Sequence, residues 1–242
     1  MRARLLALLA LALLSSVALA RPRHVQAEEL VGTWAMKLQL AVIAQVPVLG
    51  DSATVNHRTN LATLRMQDGV LTQTHRACRV EVVAERDFAT PIVPQAFVDH
   101  LPEKTYPVEL RDIGDQVRYD VDLQLEVMGY DETLPEPVPS DDQDKRIEDT
   151  DQDGRIGITF LVDAPVFGRV EVYAVQLAHT VLKGRVLSPD RVVGSALMLV
   201  LEQRVIGSTN VFFTRGAKVR PDNAHSSFEM DRVAEGSGCE DI

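Results

Sequence analysis

The sequence contains few cysteines and few aromatic residues, and each shortage narrows the possible functions. It has two cysteines and no CxxC pair, so a cysteine-based zinc site has no support. Aromatic residues make up 5% of the chain, which is too few for the stacking platforms that bind sugars or single-stranded nucleic acid. No HExxH, GxSxG, GxGxxG or GxxxxGK[ST] pattern occurs, so zincin, α/β-hydrolase, dinucleotide and P-loop functions have no support either.

The first 20 residues have the pattern of a secretory signal peptide. Arg2 and Arg4 form a basic start, Leu5–Leu14 an apolar run, and Ala18–Ala20 a small-x-small cleavage site. The apolar run is shorter than the roughly 20 residues that a membrane-spanning helix needs. We therefore expect a single secreted or periplasmic domain over residues 21–242, without a transmembrane segment.

The predicted mature chain is strongly acidic. Its formal charge is −12, since the full chain carries −10 and cleavage removes Arg2 and Arg4. Residues 131–153 hold ten acidic residues against Lys145 and Arg146, a local charge of −8. Nucleic acid and anionic membranes are therefore not expected as partners. A cluster this dense repels itself unless a cation binds it, so the charge pattern predicts a bound cation.

An Asp-rich motif inside this cluster predicts that the cation is Ca²⁺. Asp149, Asp151 and Asp153 alternate along the chain, and Gly154 follows the third of them. Calcium takes six to eight oxygen ligands at roughly 2.3–2.6 Å, and alternate Asp residues on a tightly wound backbone direct several carboxylates at one centre. Gly154 allows the sharp turn that this winding requires, and Ile156 is expected to hold the loop against the apolar body.

The motif resembles the calcium loop of EF-hand proteins and the related loops of dockerins and thrombospondin type 3 repeats. In that pattern the three aspartates match the first, third and fifth positions and Gly154 the sixth. The resemblance implies that Arg155 offers its backbone carbonyl at the seventh. The bidentate Glu of the twelfth position is replaced by Phe160, in a β-branched, strand-like segment.

The replacement at the twelfth position leaves the rest of the ligand set open. Asp144, Glu148 and Asp163 are the acidic residues that could substitute for the missing Glu. The alternative to a calcium site is a solvated acidic loop that binds no ion tightly, because Asp-rich turns also occur without metal.

Alternating apolar and polar residues predict an all-β fold. Trp34–Val42 and residues 117–127 alternate with the period of two that is typical of half-buried strands. Short turns separate the predicted strands, which favours an antiparallel meander that closes into a barrel or packs as a sandwich, with less than about a fifth helix. The other predicted strands are 53–66, 70–85, 156–163, 167–182, 190–206 and 209–214.

Two long insertions and a tail interrupt this pattern. Residues 87–107 contain four prolines around Gln95–Leu101, which could form one or two helical turns. Residues 130–154 form a proline-rich loop that includes the predicted calcium site. From residue 221 onward the chain is polar and is predicted to be a mobile C-terminal tail. Loops of such length in a compact domain are usually functional or disordered.

The first predicted strand begins with Gly32-Thr33-Trp34, a Gly-x-Trp that resembles the start of lipocalins. The resemblance implies an eight-stranded barrel in which Trp34 closes one end and an Arg near the last strand packs over it. Arg215 is a conceivable counterpart of that Arg. In this interpretation the protein carries a small apolar ligand; the alternative is a Trp that simply fills a β core.

Cys78 and Cys239 are predicted to form a disulfide. In an exported chain an even pair of cysteines is typically oxidised. The bond would join the C-terminal tail to an early strand. The alternative is two free thiols.

A third resemblance is to the Gly-Asp-Ser esterases. Gly50-Asp51-Ser52 and Asp222-x-x-His225 match the family's spacing, which implies Ser52 as nucleophile, His225 as base and Asp222 as the group that orients it. The family places a helix after the nucleophile, whereas the residues after Ser52 are strand-like. The Gly-x-Asn-Asp element of the family is also missing.

Three functional hypotheses follow. The leading one is an exported calcium-binding β protein that acts by binding, with an extracellular protein as a possible partner, rather than by catalysis. The second is a carrier of a small apolar ligand, and the third is an esterase. The structure of the interior distinguishes the three hypotheses. A packed core favours the calcium-binding protein, and a cavity of several hundred Å³ favours the carrier. A Ser52 side chain within hydrogen-bond reach of His225 favours the esterase.

Overall fold

The computed structural model describes residues 25–46, 50–85 and 90–242. The predicted signal peptide at 1–20 lies outside the described residues. The predicted all-β class is confirmed, since the described residues form eleven antiparallel strands and 9% of the structure is helical. The strands are β1 Gly32–Val46, β2 Gly50–Gln67, β3 Val70–Ala84, β4 Thr90–Ile92, β5 Lys104–Ile113, β6 Gln116–Met128, β7 Ile158–Ala164, β8 Gly168–Ser188, β9 Arg191–Ser208, β10 Lys218–Pro221 and β11 Ser227–Arg232.

The helices are short and lie between or beside the strands. The one α-helix in the described residues, α1, is within the first predicted insertion, where one or two helical turns were expected. Four 3₁₀ helices occur in the described parts of the chain. The helical segments are α1 Gln95–Asp99 and the 3₁₀ helices Ala27–Leu30, Val211–Phe213, Asn223–His225 and Cys239–Asp241. None of the described helices is both long enough and apolar enough to cross a membrane.

Eight of the strands form a closed ring of hydrogen-bonded neighbours. Their order is β8-β6-β5-β3-β2-β1-β11-β9, and β9 pairs in turn with β8. The ring is closed by β11, which lies between β1 and β9 although it is near the C-terminus. Outside the ring, β7 and β4 extend the sheet from β8, and β10 pairs with β1.

Strands β6 and β7 lie end to end along the same edge of β8. Met128, the last residue of β6, pairs with Gln176, and Ile158, the first of β7, pairs with Ala174. Residues 129–157 therefore leave the sheet and return to it almost at the same place. We call this excursion the acidic loop; it contains the predicted calcium motif and, apart from isolated bridges, no strand or helix.

The main hydrophobic core lies inside the ring, because all eight ring strands contribute buried side chains to it. A second core lies beneath α1 and a third beneath the acidic loop. Fully buried members of the main core include Trp34, Met36, Tyr119, Leu182 and Met230. The core beneath α1 includes Val98, Ile158 and Ala174, and the core beneath the acidic loop includes Tyr130, Val175 and Leu177.

Several predicted boundaries differ from the structure. The predicted strand at 209–214 is wrong, since Val211–Phe213 forms a 3₁₀ helix. The end of the insertion at 87–107 already belongs to β5. The predicted C-terminal tail contains β11, which pairs on both sides.

The alternation over residues 117–127 predicts that the Val, Tyr and Leu side chains of β6 face inward, but a bulge interrupts this face. Tyr119 and Leu123 are buried as expected, but Leu125 is 45% exposed. The register with β8 shifts between Asp122 and Leu125, where Gln124 has a left-handed φ of 57°. A bulge inserts an extra residue and so reverses which side chains face inward.

Candidate functional site

The acidic loop is closed at its base by two glycines. Gly129 and Gly157 have left-handed φ angles of 83° and 77°. A Cβ on Gly129 would lie 3.0 Å from the Gly157 Cα, and a Cβ on Gly157 would lie 2.5 Å from the Ala174 carbonyl oxygen. Only glycine fits both positions. The backbone of Glu148 then bonds to both ends, donating to the Gly129 carbonyl and accepting from the Gly157 amide.

The predicted calcium motif is tightly wound within this closed loop. The Asp149 carboxylate accepts hydrogen bonds from the amides of Asp153 at 3.1 Å and Gly154 at 2.9 Å. Gln152 and Gly154 both have left-handed φ, which the winding requires. The Asp153 carboxylate accepts from the Arg155 amide at 2.8 Å. The backbone therefore holds the outer two carboxylates of the motif in fixed positions.

Asp151, the central residue of the motif, points inward and is only 3% exposed. Its Oδ2 accepts a hydrogen bond from the Thr159 amide at 2.8 Å. Its Oδ1 is buried and has no hydrogen-bond partner in the described part of the chain, and the neighbouring Thr159 Oγ1 is in the same state. A buried carboxylate oxygen without a partner is energetically costly.

The surroundings of Asp151 disfavour its ionised form. Burial raises the pKa of its carboxyl, the hydrogen bond from the Thr159 amide opposes that rise, and the nearby Asp153 and Asp149 carboxylates add to it. These carboxylates would therefore repel one another when all are charged. A cation at their centre would remove this repulsion.

The three aspartates have the spacing of a metal site. One carboxylate oxygen from each of Asp149, Asp151 and Asp153 lies within 4.8 Å of the others. Oxygens bound to one Ca²⁺ at 2.3–2.6 Å cannot be farther apart than about twice that length, roughly 5 Å. One oxygen from each of the three predicted residues could therefore contact a single cation of this size.

The other predicted ligands do not join this group. Asp144 is held by Arg146 at 2.6 Å, and Asp163 by Arg169 at 2.8 Å, so both carboxylates are already paired. The three-carboxylate group does not include Glu148. The carbonyl of Arg155 stays a prediction.

The twelfth position of the motif is used for packing. Phe160 lies on β7, where it packs against the core beneath α1, its ring 6.2 Å from that of Phe97. The loop therefore leads into a strand, as the sequence predicts, and not into the second helix of an EF-hand.

Arg155 contributes its side chain to the surroundings of the loop. Its Nε lies 3.6 Å from Glu171, and its guanidinium lies over the Tyr173 ring at 6.0 Å. Glu171 is on β8, so this contact connects the loop to the sheet.

The predicted disulfide between Cys78 and Cys239 is confirmed, with an S–S distance of 1.98 Å. Cys78 is the extra residue of a bulge in β3, since Thr59 pairs with Arg79 and Asn60 with Ala77. The bulge removes Cys78 from the regular alternation of the strand. Cys239 follows β11 in the chain, and the disulfide fixes this C-terminal segment to β3.

The predicted esterase residues are only partly brought together. His225 Nδ1 lies 2.8 Å from Asp222 Oδ2, and the His225 side chain is 74% exposed. Ser52 is buried in β2 opposite Ala44, and within the described chain no hydrogen bond joins it to His225. Ser52 pairs with Ala44 on β1, whereas the His225 carbonyl accepts a hydrogen bond from Gln39 on the same strand. Ala44 and Gln39 are five residues apart, about 16 Å along the strand, so Ser52 and His225 contact different parts of β1.

The Gly-x-Trp motif marks one end of the ring. Trp34 is fully buried and donates its indole N–H to the Leu30 carbonyl at 3.0 Å. The Arg that packs over the indole is Arg232, at 4.6 Å, so the prediction of Arg215 is wrong. Arg215 follows the 3₁₀ helix at Val211–Phe213, whereas Arg232 ends β11.

Gly32 has a direct role in this arrangement. A Cβ at Gly32 would lie 2.4 Å from the Arg232 guanidinium, and its φ of 144° is one that other residues rarely adopt. Arg232 donates to the backbone carbonyls of Val31 and Pro189 at 2.7 Å and also contacts the Glu29 carbonyl. The sequence signal for Arg232 was weak, because Phe228 and Met230 alternate over only one short strand.

Inside the ring, the main core gives way to a polar group at one end. Arg58, His75, Tyr106 and Glu126 line a cavity of about 70 Å³. Arg58 lies 3.8 Å from Glu126, and the His75 ring contacts that of Tyr106 edge-on. His75 Nε2 is buried and has no hydrogen-bond partner in the described structure. Burial, with the Arg58 charge adding to it, lowers the pKa of His75 to about 4.

We expect His75 to make the fold sensitive to acid. Its pKa is near 6.5 when unfolded and about 4 when folded, so the unfolded chain binds the proton more tightly between these values. The contribution of His75 to the free energy of unfolding is therefore fully present above pH 6.5. As the pH falls to 4, up to about 3 kcal/mol of it is lost. Denaturant unfolding across this range should show a smaller loss in His75→Gln. His57→Gln, at an exposed position, is the control, and equal losses in His75→Gln and the wild type would contradict the assignment.

No protein-family model matches the chain, and no curated protein or solved structure is significantly similar to it.

Proposed function

We propose that this chain is an exported β protein that binds one Ca²⁺ through Asp149, Asp151 and Asp153 and acts by binding rather than by catalysis. The observation that carries the proposal is the buried Asp151 oxygen, which has no hydrogen-bond partner among the described residues, while one oxygen of each of two other carboxylates lies within 4.8 Å. Leaving a buried charge unpaired costs several kcal/mol, and a bound cation would offset that cost. In the described structure the Thr159 amide donates to one oxygen of this carboxylate and leaves Oδ1 unsatisfied, which is where a cation would bind.

The ligand chemistry favours calcium over other metals. The group offers carboxylate oxygens and no nitrogen or sulfur ligand, which favours a hard cation. Calcium accepts irregular sets of oxygens, whereas Mg²⁺ demands a near-octahedral shell at shorter distances. Since Phe160 packs in a hydrophobic core, no bidentate carboxylate is available at that position. We therefore expect a dissociation constant of about 10⁻⁴–10⁻³ M, suited to extracellular calcium concentrations.

The proposal of export rests on two features. The first 20 residues have the signal-peptide pattern, and the disulfide between Cys78 and Cys239 is typical of oxidising compartments. A calcium site of low affinity is useful only where free calcium is plentiful, which favours the same location.

We also infer that the ring of eight strands is a barrel rather than a sandwich. The pairing between β8 and β9 leaves no unpaired edge within the ring, which supports full closure. The position of Trp34 beneath Arg232 agrees with the lipocalin resemblance, in which an Arg near the last strand covers the Trp.

Two observations favour this function over its alternatives. The cavity among the interior polar residues measures about 70 Å³, far below the roughly 300 Å³ or more of typical ligand sites, so the carrier hypothesis gains no support from it. The esterase hypothesis needs Ser52 beside His225, but Ser52 is buried in a strand and bonds to neither His225 nor Asp222 within the described residues.

Thermal unfolding with and without calcium tests the proposal. After treatment with chelator, calcium at ten times its dissociation constant should stabilise the wild type by about 1.4 kcal/mol. Asp151→Asn should abolish this gain, because it removes the central ligand charge while keeping the side-chain shape. Asp141→Asn removes the same charge from an exposed position in the acidic loop and should leave the gain intact.

The outcomes are distinct. If calcium stabilises Asp151→Asn as much as the wild type, the three aspartates are not the site. Mg²⁺ at the same concentration should give a clearly smaller gain, and an equal gain would contradict the assignment to calcium.

A further inference from the structure

A cleft of about 780 Å³ lies on the outer surface of the ring, and its residues on β6 are at the opposite end of that strand from the acidic loop. It crosses β6, β8, β9, β11, β1 and β2, which are consecutive neighbours in the ring. Apart from the core residues Leu38 and Phe228, which reach its floor, its side chains belong to the set that alternates with the buried core residues, so they point away from the interior. The polar lining includes Lys37, Arg118, Lys183, Arg185, Ser195 and Ser227.

Two facing glycines shape the floor of this cleft. Gly184 on β8 pairs with Gly194 on β9. A Cβ on Gly194 would lie 2.5 Å from the Gly184 Cα, and a Cβ on either glycine would lie 2.6 Å from the Phe228 ring. The two strands therefore approach the interior more closely than side chains would allow. The result is a depression on the outer surface between the flanking strands.

Arginines face one another along the wall of the cleft. Arg118 on β6 lies directly opposite Arg185 on β8 and, on its other side, opposite Arg111 on β5. Like charges directly opposite each other in a sheet are destabilising. Arg111 is compensated by Asp120 and Glu109. Neither Arg118 nor Arg185 has a carboxylate within ion-pair distance in the described chain, and the buried Arg118 Nε has no hydrogen-bond partner.

Asp120 and Glu229, two acidic residues around the cleft, already form ion pairs with other basic side chains, although Asp120 Oδ1 is buried and has no hydrogen-bond partner in the described residues. Asp120 contacts both Arg111 and Lys183, the latter at 3.4 Å. Glu229, the acidic residue in the lining, contacts Lys37 at 3.6 Å and Arg191 at 3.0 Å. The charges of Arg118 and Arg185 therefore remain unbalanced, in a protein whose net charge is −10.

We infer that this cleft binds a small anion that carries phosphate or carboxylate groups, held by Arg118 and Arg185. A guanidinium offers a planar fork of donors that matches both groups, and an anion between the two arginines would remove their repulsion. The exposed hydroxyls of Ser195 and Ser227 are further donors in the lining. This site is independent of the proposed calcium site, and neither result depends on the other.

Titration calorimetry with two separate probes, inorganic phosphate and citrate, tests the inference. Ionic strength is held constant with chloride, and the buffer contains neither calcium nor chelator, because chelators are themselves polycarboxylates. We expect saturable binding of at least one probe to the wild type. Arg118→Gln and Arg185→Gln should each weaken it by about tenfold or more, since each removes a charged donor. Arg79→Gln, an exposed arginine on β3 outside the cleft, should bind as the wild type does.

The two probes also identify the anion. Binding of phosphate alone assigns a phosphate-bearing ligand, and binding of citrate alone assigns a polycarboxylate. The inference is overturned if neither probe binds saturably, or if Arg79→Gln loses as much affinity as the two cleft variants. Melting without probe controls for folding: neither cleft variant should be less stable than the wild type, because each relieves a repulsion between like charges.

Discussion

Removal of the Cys78–Cys239 disulfide is expected to lower the free energy of unfolding by about 5 kcal/mol, the largest effect that the structure predicts. The bond closes a loop of 161 residues. In the chain-entropy model, a crosslink of this span removes a large part of the conformational freedom of the unfolded chain. Because that loop includes most of the strands, its loss should affect the whole fold and not only the C-terminal segment.

Urea unfolding of the Cys78→Ser/Cys239→Ser double variant measures this effect. The reduced wild type should match the double variant, since both lack only the crosslink. Each single variant should lie close to the double variant for the same reason. A double variant as stable as the oxidised wild type would contradict the prediction, as would two reactive thiols in denatured, unreduced protein.

The strands that the sequence predicts well are those with long regular alternation. β1 and β6 extend beyond the predicted Trp34–Val42 and residues 117–127 by only a few residues. β11 was missed because its six residues lie in a polar segment, and its place between β1 and β9 depends on pairing across most of the chain. Local periodicity does not contain such long-range information.

Bulges account for the errors within correctly predicted strands. A period of two predicts the inward face only while the pairing register is constant. In β6 the shift after Asp122 exposes Leu125. In β3 the odd-numbered residues up to His75 face inward, and after the extra residue Cys78 the even-numbered Val80 does so instead. Around Asp122 the apolar and polar residues keep alternating, so the sequence contains no signal that marks the shift, whereas around Cys78 the adjacent Ala77 and Cys78 interrupt the alternation.

The candidate calcium site was predictable because its geometry is mostly local. The spacing of Asp149, Asp151 and Asp153 and the turn at Gly154 follow from a few neighbouring residues. The contact that buries Asp151, with the amide of Thr159, depends on where β7 begins. The two glycines that close the loop could not be paired from sequence, since Gly129 and Gly157 meet only because β6 and β7 share one edge of β8.

Replacement of Arg232 by alanine is expected to destabilise the fold by about 4 kcal/mol. Its guanidinium lies over Trp34 at 4.6 Å, donates to the carbonyls of Val31 and Pro189, and pairs with Asp190 at 2.7 Å. A cation–π contact contributes about 0.5–2 kcal/mol and hydrogen bonds to a charged group about 1.5–3 kcal/mol each, but bonds made by one side chain are not additive. The loss would leave partly buried carbonyls unpaired at the end of the ring.

Denaturant unfolding of Arg232→Ala, Arg232→Lys and Arg220→Ala distinguishes this role from that of a surface charge. Arg232→Lys should recover less than half of the loss, because an ammonium cannot reach three carbonyls and lie flat on an indole. Arg220 makes an exposed ion pair with Asp51 at 3.2 Å, so Arg220→Ala should cost less than about 1 kcal/mol. If Arg232→Ala is no more destabilising than Arg220→Ala, the Arg232 contacts do not hold this end of the ring together. Quenching of Trp34 fluorescence in Arg232→Ala would report directly on the exposure of the indole.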